Sequence, residues 1–290
     1  MPNETPAIAK DIFGDALYQR RARVALPILI RQAEAHQRIN YEDLAEEISM
    51  RPRNLNYVLG SVGTTLIDLG RKWGEAIPEI QCLVVNKATG LPGRGVDSFL
   101  VSPGSTSKLN RKQKEALVNV VLGNVFAYPK WRRVLNTFKL APVESRARSL
   151  VQAAREGHGS GESQEHRWLK NYIAANPASV GLFKGFAQGE TEFPLPSGDC
   201  VDVVFRNDRT WIAVEVKSII SNDADIARGL FQCVKYRAVI DAWRASEGES
   251  IECRAILALG KRLPEVLIPL RNVLRVEVVE NIGLARKADR

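Results

Sequence analysis

The hydrophobic and polar positions of this chain follow a helical period through most of its first half. Residues 16–38 are rich in helix formers, and residues 39–48 and 54–70 carry apolar side chains three and four positions apart. Pro27 either opens a second helix within the first stretch or kinks one long helix. Residues 80–85 form an apolar run typical of a strand, followed by a loop rich in turn residues. The pattern therefore predicts three helices and then a strand.

This order of elements resembles a winged-helix domain, which we place at residues 1–105. The resemblance implies that a helix-turn-helix, with Arg53 at its turn, contacts DNA and that Lys87 and Arg94 lie in the wing. Contact with another protein is the alternative role for such a module.

The second half alternates between strand and helix patterns. Gly157 to Ser163 are small and polar, and they predict a linker before a domain at residues 164–290. Ser163 is the expected cap of the helix that follows the linker. We expect a helix from residue 163, strands at 186–193 and within the hairpin 197–218, a helix at 223–244, a strand at 252–259, a helix at 263–270 and a strand at 273–279. The fold class is therefore α/β, with a mixed sheet in an α-β-β-β-α-β order after a mainly helical domain.

Charge is distributed unevenly along the chain. The formal net charge is +8, and the whole excess of basic residues lies in the first 150 positions. Residues 106–156 are predicted to form a basic helical connector. Within them, Ser107–Arg148 carries ten basic residues and only two acidic ones; the basic residues are Lys108, Arg111, Lys112, Lys114, Lys130, Arg132, Arg133, Lys139, Arg146 and Arg148. Such an excess predicts phosphate binding, with Lys112, Arg132 and Arg133 as candidate DNA contacts. Solvated helix faces are the alternative explanation.

Composition narrows the class of protein. The longest apolar runs fall short of the roughly 18 residues that a membrane span needs, and the N-terminus lacks the order of a secretory signal, so we expect a cytoplasmic protein without membrane contact. The four scattered cysteines predict reduced thiols, and they indicate neither a disulfide framework nor a zinc site. His158 and His166 lie near the linker, where we expect solvent exposure.

Charged side chains interrupt the two apolar strands of the hairpin 197–218. Glu215 and Lys217 share one face of the second strand because side chains alternate. A four-residue loop or a two-residue loop places Asp202 on the same face, whereas a three-residue loop would favour Asp199. We therefore expect Asp202 to join Glu215 and Lys217, with Asp199 in reserve.

Two facing carboxylates require a compensating cation. Oxygen ligands few in number, with positions left for water and phosphate, suit Mg²⁺, for which Mn²⁺ can substitute. Lys217 would hold or deprotonate an attacking water, or stabilise charge in the transition state. These residues predict a metal-dependent phosphodiester hydrolase.

Asp202 followed by Glu215-Val-Lys217, within the predicted order of elements, resembles the PD-(D/E)XK nuclease superfamily over about residues 160–260. The resemblance implies a mixed sheet flanked by helices, a need for Mg²⁺ and cleavage of DNA. It also implies a further metal-binding carboxylate at Glu165, a Gln-x-x-x-Tyr element at Gln232 and Tyr236, and backbone contacts from Arg228 and Lys235. Val201 stands before Asp202, where the family motif has proline.

The sequence thus predicts a two-domain, Mg²⁺-dependent DNA endonuclease that acts in restriction or defence, and a homodimer is the expected assembly. A catalytically silent nuclease-fold protein that binds DNA is one alternative. A nuclease that acts on RNA or on single-stranded ends is another.

Overall fold

The protein is described by a computed structural model that covers residues 9–93, 110–143, 163–183 and 185–283. The chain divides into two compact units, Met1–Glu144 and Ser145–Arg290. The predicted linker lies outside the described residues except for Ser163, whose hydroxyl accepts a hydrogen bond from the backbone N–H of His166 at 3.1 Å. Ser163 therefore caps the following helix, as the sequence predicts.

The first unit is mainly helical. Pro27 lies inside a single continuous helix, so the alternative of two separate helices is wrong. The elements are α1 (Leu17–Glu34), β1 (Ile39–Asn40), α2 (Tyr41–Glu47), a 3₁₀ turn (Pro52–Asn54), α3 (Leu55–Trp73), a 3₁₀ turn (Ile80–Leu83), β2 (Val84–Val85), α4 (Arg111–Ala127) and α5 (Trp131–Thr137).

The strand expected at residues 80–85 is mostly a 3₁₀ turn. Ile80, Cys82 and Leu83 are all fully buried, and a helical turn allows these near neighbours to face one core. Only Val84–Val85 is extended, and it pairs in parallel with Ile39–Asn40. Within the described part of the first unit, β2 therefore forms no antiparallel wing.

Helices α4 and α5 belong to the core of the first unit. Val118, Leu122 and Val125 of α4 are buried in the same apolar cluster as α1 and α3. Trp131 of α5 is also buried there, and its indole Nε1–H donates to the carbonyl of Val125 at 2.8 Å. The basic segment predicted as a connector thus contributes, over residues 110–143, two packed helices whose outer faces carry the charges.

The second unit is built on a five-stranded mixed sheet of order β3-β4-β5-β6-β7, in which β3, β4 and β5 are antiparallel and β5, β6 and β7 are parallel. The elements are α6 (Gln164–Ala175), a 3₁₀ turn (Pro177–Val180), β3 (Glu190–Pro194), β4 (Cys200–Arg206), β5 (Thr210–Lys217), α7 (Asp223–Ser246), β6 (Glu252–Leu259), a 3₁₀ turn (Glu265–Leu267), α8 (Ile268–Leu274) and β7 (Glu277–Val279). The chain is therefore a mixed α/β protein with a helical N-terminal region. The predicted last strand is shorter than expected, because α8 extends to Leu274.

The sheet separates two apolar layers. Val214 and Val216 of β5 pack in one cluster with Leu169 and Ile173 of α6. On the other face Leu257 and Leu259 of β6, together with residues of β4 and β5, pack against α7. Because side chains alternate, α7 covers the face of β5 that carries Glu215 and Lys217.

In the part of the chain that the structure describes, no helix combines the length and the apolar character that crossing a membrane requires.

Candidate active site

A cleft of about 800 Å³ opens in the second unit between α6, the ends of β3, β4 and β5, and the start of α7. Its polar walls bring together Asp202, Glu215, Lys217, Gln232 and Arg228, which the sequence selects from separate segments. The other lining residues are Ser163, His166, Arg167, Lys170, Asn171, Thr191, Glu192, Ser218, Ile220, Ser221 and Asp225.

The hairpin turn fixes the register of β4 and β5. The side-chain oxygen of Asn207 accepts hydrogen bonds from the backbone N–H groups of Arg209 and Thr210, both at 2.9 Å. This side-chain turn sets Arg206 opposite Trp211, which is the register that a four-residue loop predicts. The register that would have favoured Asp199 is therefore excluded.

The regular pairing of β4 with β5 stops at Val203, so Asp202 has no paired residue on β5. The last pair of the β4–β5 ladder is Val203 with Val214, and beyond it the backbone N–H of Val216 donates to Oδ2 of Asp202 at 2.7 Å. The Asp202 carboxylate thus accepts a hydrogen bond from the β5 backbone at the point where β4 separates from β5, while β4 remains paired with β3. The β5 backbone therefore holds Asp202 beside Glu215, in a gap between β4 and β5 where the two residues do not form a regular cross-strand pair.

Glu215 is a buried carboxylate, and another side chain of the second unit contacts each of its two oxygens. Its side chain is only 4% exposed; Oε1 lies 2.6 Å from Nζ of Lys217, and the Tyr236 hydroxyl lies 3.0 Å from Oε2. Burial, and secondly the charge of Asp202, raise the pKa of Glu215 to about 7, against the opposing effects of Lys217 and Tyr236. The neutral and charged forms are therefore close in free energy near neutral pH.

Gln232 and Tyr236 form one hydrogen-bonded unit on α7. Nε2 of Gln232 donates to the Tyr236 hydroxyl at 3.2 Å, and Oε1 of Gln232 lies 3.5 Å from Nζ of Lys217. The Tyr236 hydroxyl faces both Glu215 and the carbonyl of Cys200, at 3.1 Å, so its single proton serves one of them at a time. The four-residue spacing of the two side chains puts both on the helix face that meets β5.

Gly229 lets α7 approach Lys217 closely. A Cβ at this position would lie 2.8 Å from Cδ1 of Leu257 and 3.1 Å from Cε of Lys217. The helix interior otherwise disfavours glycine by about 1 kcal/mol relative to alanine. Close packing of α7 on the lysine stem accounts for glycine here, and the sequence offered no sign of it.

His166 and Lys170 are cleft residues that the sequence did not select. The expectation of an exposed His166 is wrong: its side chain is 20% exposed, and Nε2 lies 3.3 Å from Oδ1 of Asp202. Lys170, one turn further along α6, is buried and forms an ion pair with Glu192. The spacing of Ser163, His166 and Lys170 along one helix face is the signal that could have identified them. His158 lies outside the described residues.

Of three other predicted residues, Glu165 and Lys235 lie outside the cleft and Arg228 lies in its lining. Glu165 is exposed on α6 and is not among the described residues that line the cleft, since its neighbour His166 occupies that helix face. Lys235 forms an exposed ion pair with Asp199 at 2.7 Å, and that contact lowers the pKa of Asp199. Arg228 does line the cleft, where it contacts Asp225 at 2.9 Å.

The DNA-contact candidates of the first unit are surface residues with different partners. Arg53, Lys87 and Lys112 are exposed. Arg132 makes two hydrogen bonds to Glu34, at 2.5 and 2.6 Å, and the guanidinium of Arg133 lies 4.4 Å from the ring centroid of Trp73. Arg94 lies outside the described residues.

The donor set of the cleft fits a hard cation bound mainly through water. Among the residues that the structure describes, no group of three or more His, Cys, Asp or Glu side chains is arranged to hold a metal ion. Mg²⁺ retains several waters, however, and one or two carboxylates suffice to bind it. Burial and secondly the charge of Asp202 raise the pKa of Glu215, and a cation bound between the two carboxylates would relieve their mutual repulsion.

No family model, curated protein or solved structure matches this chain.

Proposed function

We propose that this protein is a Mg²⁺-dependent DNA nuclease of the PD-(D/E)XK type, with a restriction-endonuclease-like core in its second unit. The observation that carries the proposal is the convergence of Asp202, Glu215 and Lys217 in one polar cleft, backed by Gln232 and Tyr236. A buried carboxylate, a second carboxylate and an ammonium group are expensive to enclose, and phosphodiester hydrolysis is a chemistry that uses all three.

Each side chain has a role that follows from its contacts. Asp202 and Glu215 would hold the cation, which when bound neutralises charge on a phosphodiester oxygen and lowers the pKa of its water. Lys217 points its ammonium group into the same cleft, where it stabilises the transition-state charge or orients the attacking water. Tyr236 and Gln232 fix the positions of Glu215 and Lys217.

DNA is the proposed substrate because basic residues are concentrated in the first unit and also line the cleft of the second. The excess of basic residues lies in the first 150 positions, and a cationic surface supplies most of the non-specific affinity for DNA. Arg228 and Arg167 line the cleft itself, at positions where a strand would enter. A recognition unit joined to a cutting unit suits a role in restriction or defence. A cytoplasmic location and a homodimer remain predictions from the sequence.

The decisive experiment is a cleavage assay on supercoiled plasmid and linear duplex, in Mg²⁺, in Mn²⁺ and in EDTA. We expect cleavage that requires the metal, and a loss of about a hundredfold or more in Lys217→Ala and Asp202→Asn. Asp199→Asn is the matched control for Asp202→Asn, because Asp199 pairs with Lys235 outside the cleft, and it should retain activity. Absence of cleavage by the wild type in both metals, or equal activity of Lys217→Ala, would disprove the assignment.

A second candidate is a nuclease-fold protein that binds DNA without cleaving it. One observation favours it: both carboxylate oxygens of Glu215 are engaged by Lys217 and Tyr236. In that case the wild type binds duplex DNA but leaves it intact in Mg²⁺ and Mn²⁺. Cleavage of RNA or of single strands in place of duplex would redirect the substrate while keeping the catalytic assignment.

A further inference from the structure

A second cleft, of about 620 Å³, lies in the first unit between the start of α1 and the segment that joins α2 to α3. Leu17, Tyr18 and Arg21 form the α1 wall. The opposite wall consists of Ser49, Met50, Arg51, Arg53, Asn54 and Tyr57. This volume falls within the range of small-ligand sites, and the cleft has no role in the proposed catalytic chemistry.

The cleft is cationic. Arg51 and Arg53 are exposed, and within the described residues neither forms an ion pair. Arg21 is committed to the fold, because its guanidinium donates to the carbonyl of Ile48 at the end of α2. None of the described lining residues is an aspartate or a glutamate. Two guanidinium groups that form no ion pair with a described residue therefore belong to this cleft, and guanidinium groups are suited to binding an anion.

Aromatic surface lies next to these charges. The rings of Tyr18 and Tyr57 have centroids 6.1 Å apart and are tilted by 46°, and Tyr57 is 44% exposed. Leu17 beside them is 64% exposed. A flat apolar group entering the cleft would therefore cover aromatic and aliphatic surface while its anionic part met the arginines.

We propose that this cleft binds an unpaired nucleotide, with its base against Tyr57 and its phosphate on Arg51 and Arg53. Reading a duplex groove requires an element that protrudes into it, whereas this site is concave. The inference rests on the proposed function in that the substrate strand supplies the nucleotide; a free mononucleotide is the other source of the same chemistry.

The test is fluorescence anisotropy of the full chain with a labelled 12-nucleotide single strand in EDTA, which prevents cleavage. Unlabelled dAMP, inorganic phosphate and a blunt duplex serve as competitors. Tyr57→Ala should weaken single-strand binding about 5- to 150-fold, the effect of losing one stacking platform, while Tyr57→Phe should stay within about twofold. Arg51→Ala/Arg53→Ala should flatten the slope of log affinity against log salt by about 1.4. Arg71→Ala, which removes an exposed guanidinium of α3 paired with Asp68, is the charge control.

Competition then identifies the source of the nucleotide. Competition by the single strand well above that of dAMP assigns the cleft to a strand, and equal competition assigns it to a free nucleotide. Unchanged single-strand affinity in Tyr57→Ala and Arg51→Ala/Arg53→Ala overturns the inference. Competition by the blunt duplex that weakens in these variants as much as single-strand binding does also overturns it, because the site would then not select an unpaired nucleotide. These outcomes are separable from the nuclease proposal. Single-strand affinity that does not depend on Tyr57, Arg51 or Arg53, in a protein that cleaves, refutes only this inference. Single-strand binding that depends on Tyr57, in a protein that never cleaves, refutes only the nuclease.

Discussion

Glu215 carries a buried carboxyl group whose ionisation we expect to destabilise the metal-free protein. Burial and the Asp202 charge raise its pKa from the ordinary 4.5 to about 7. Each pKa unit corresponds to about 1.4 kcal/mol. Ionisation of Glu215 in the folded protein therefore lowers the free energy of unfolding by up to about 3 kcal/mol.

The pH dependence has a defined sign because the folded-state pKa is the higher one. Below pH 4.5 Glu215 is protonated in both states, and the penalty is absent. As pH rises through about 7, the unfolded chain has already released the proton, so this contribution to the free energy of unfolding is lost. Above about pH 8 the loss is complete.

Glu215→Gln should remove the penalty while keeping the contacts. The amide oxygen can accept from Lys217 and the amide N–H₂ can donate to the Tyr236 hydroxyl, which then donates to the Cys200 carbonyl at 3.1 Å. In EDTA at about pH 8.5 the variant should be about 1–3 kcal/mol more stable than the wild type, and near pH 4 the difference should be under about 0.5 kcal/mol. Urea unfolding followed by circular dichroism measures both values.

Glu165→Gln is the matched control, since Glu165 is an exposed carboxylate of the same unit and should show no such pH-dependent gain. A Glu215→Gln variant that is less stable than the wild type at high pH, or equally shifted at every pH, would refute the reasoning. Adding Mg²⁺ at high pH should stabilise the wild type and leave Glu215→Gln unchanged, because a ligand stabilises only the state that binds it.

Two further predictions concern packing and acid stability. Gly229→Ala should lower both the melting temperature and the cleavage rate, because the new Cβ meets Leu257 and the Lys217 stem. Gly123→Ala, at a helical site with open space, should raise stability by up to about 1 kcal/mol. A calorimetric scan in which both variants change the melting temperature in the same direction would contradict this. Hydrogen bonds from Lys130 and Tyr128 lower the pKa of Glu75, so this contribution is present at neutral pH and is lost as pH falls through the depressed pKa. Glu75→Gln should therefore destabilise the protein at pH 7 and not near pH 3, as pH-resolved urea curves would show.

The hairpin and its neighbours were predictable because local rules determine them. Alternation places Glu215 and Lys217 on one face, and the side chain of Asn207 closes the four-residue turn that selects Asp202. The strand at Glu252–Leu259 was also predicted correctly, since its β-prone run is bounded by turn residues.

The first unit shows where the pattern was insufficient. The apolar run at Ile80–Val85 is compatible with a strand or a buried turn, and only packing against the helices decides between them. The basic segment likewise carries enough buried residues, such as Val118 and Trp131, to join the core, although its charges dominate the sequence. Composition reports what a helix shows to solvent more clearly than what it buries.

The gap beside Asp202 could not be predicted either, since it arises from contacts between elements. Glu192 of β3 has a left-handed backbone, with φ of 54°, and its side chain pairs with Lys170 of α6. Pairing of β4 with β5 ends at Val203, and His166 of α6 reaches Asp202 from the side of the sheet opposite α7. A site lined by both helices therefore depends on an interruption of the ladder, which alternation of polar and apolar residues does not encode.

That interruption also determines how the two carboxylates are held. Asp202 is held by the backbone N–H of Val216, which every residue except proline would provide at that position, whereas Glu215 is held by the side chains of Lys217 and Tyr236. Tyr236→Phe should consequently leave Asp202 in place and free one oxygen of Glu215, weakening the alignment of that carboxylate without dismantling the cleft. If the cleft binds Mg²⁺ as proposed, this variant should bind the cation with altered affinity while keeping the wild-type fold, which isothermal titration with Mg²⁺ and circular dichroism would show. Loss of the fold in Tyr236→Phe would mean that the hydroxyl network supports the core as well as the site.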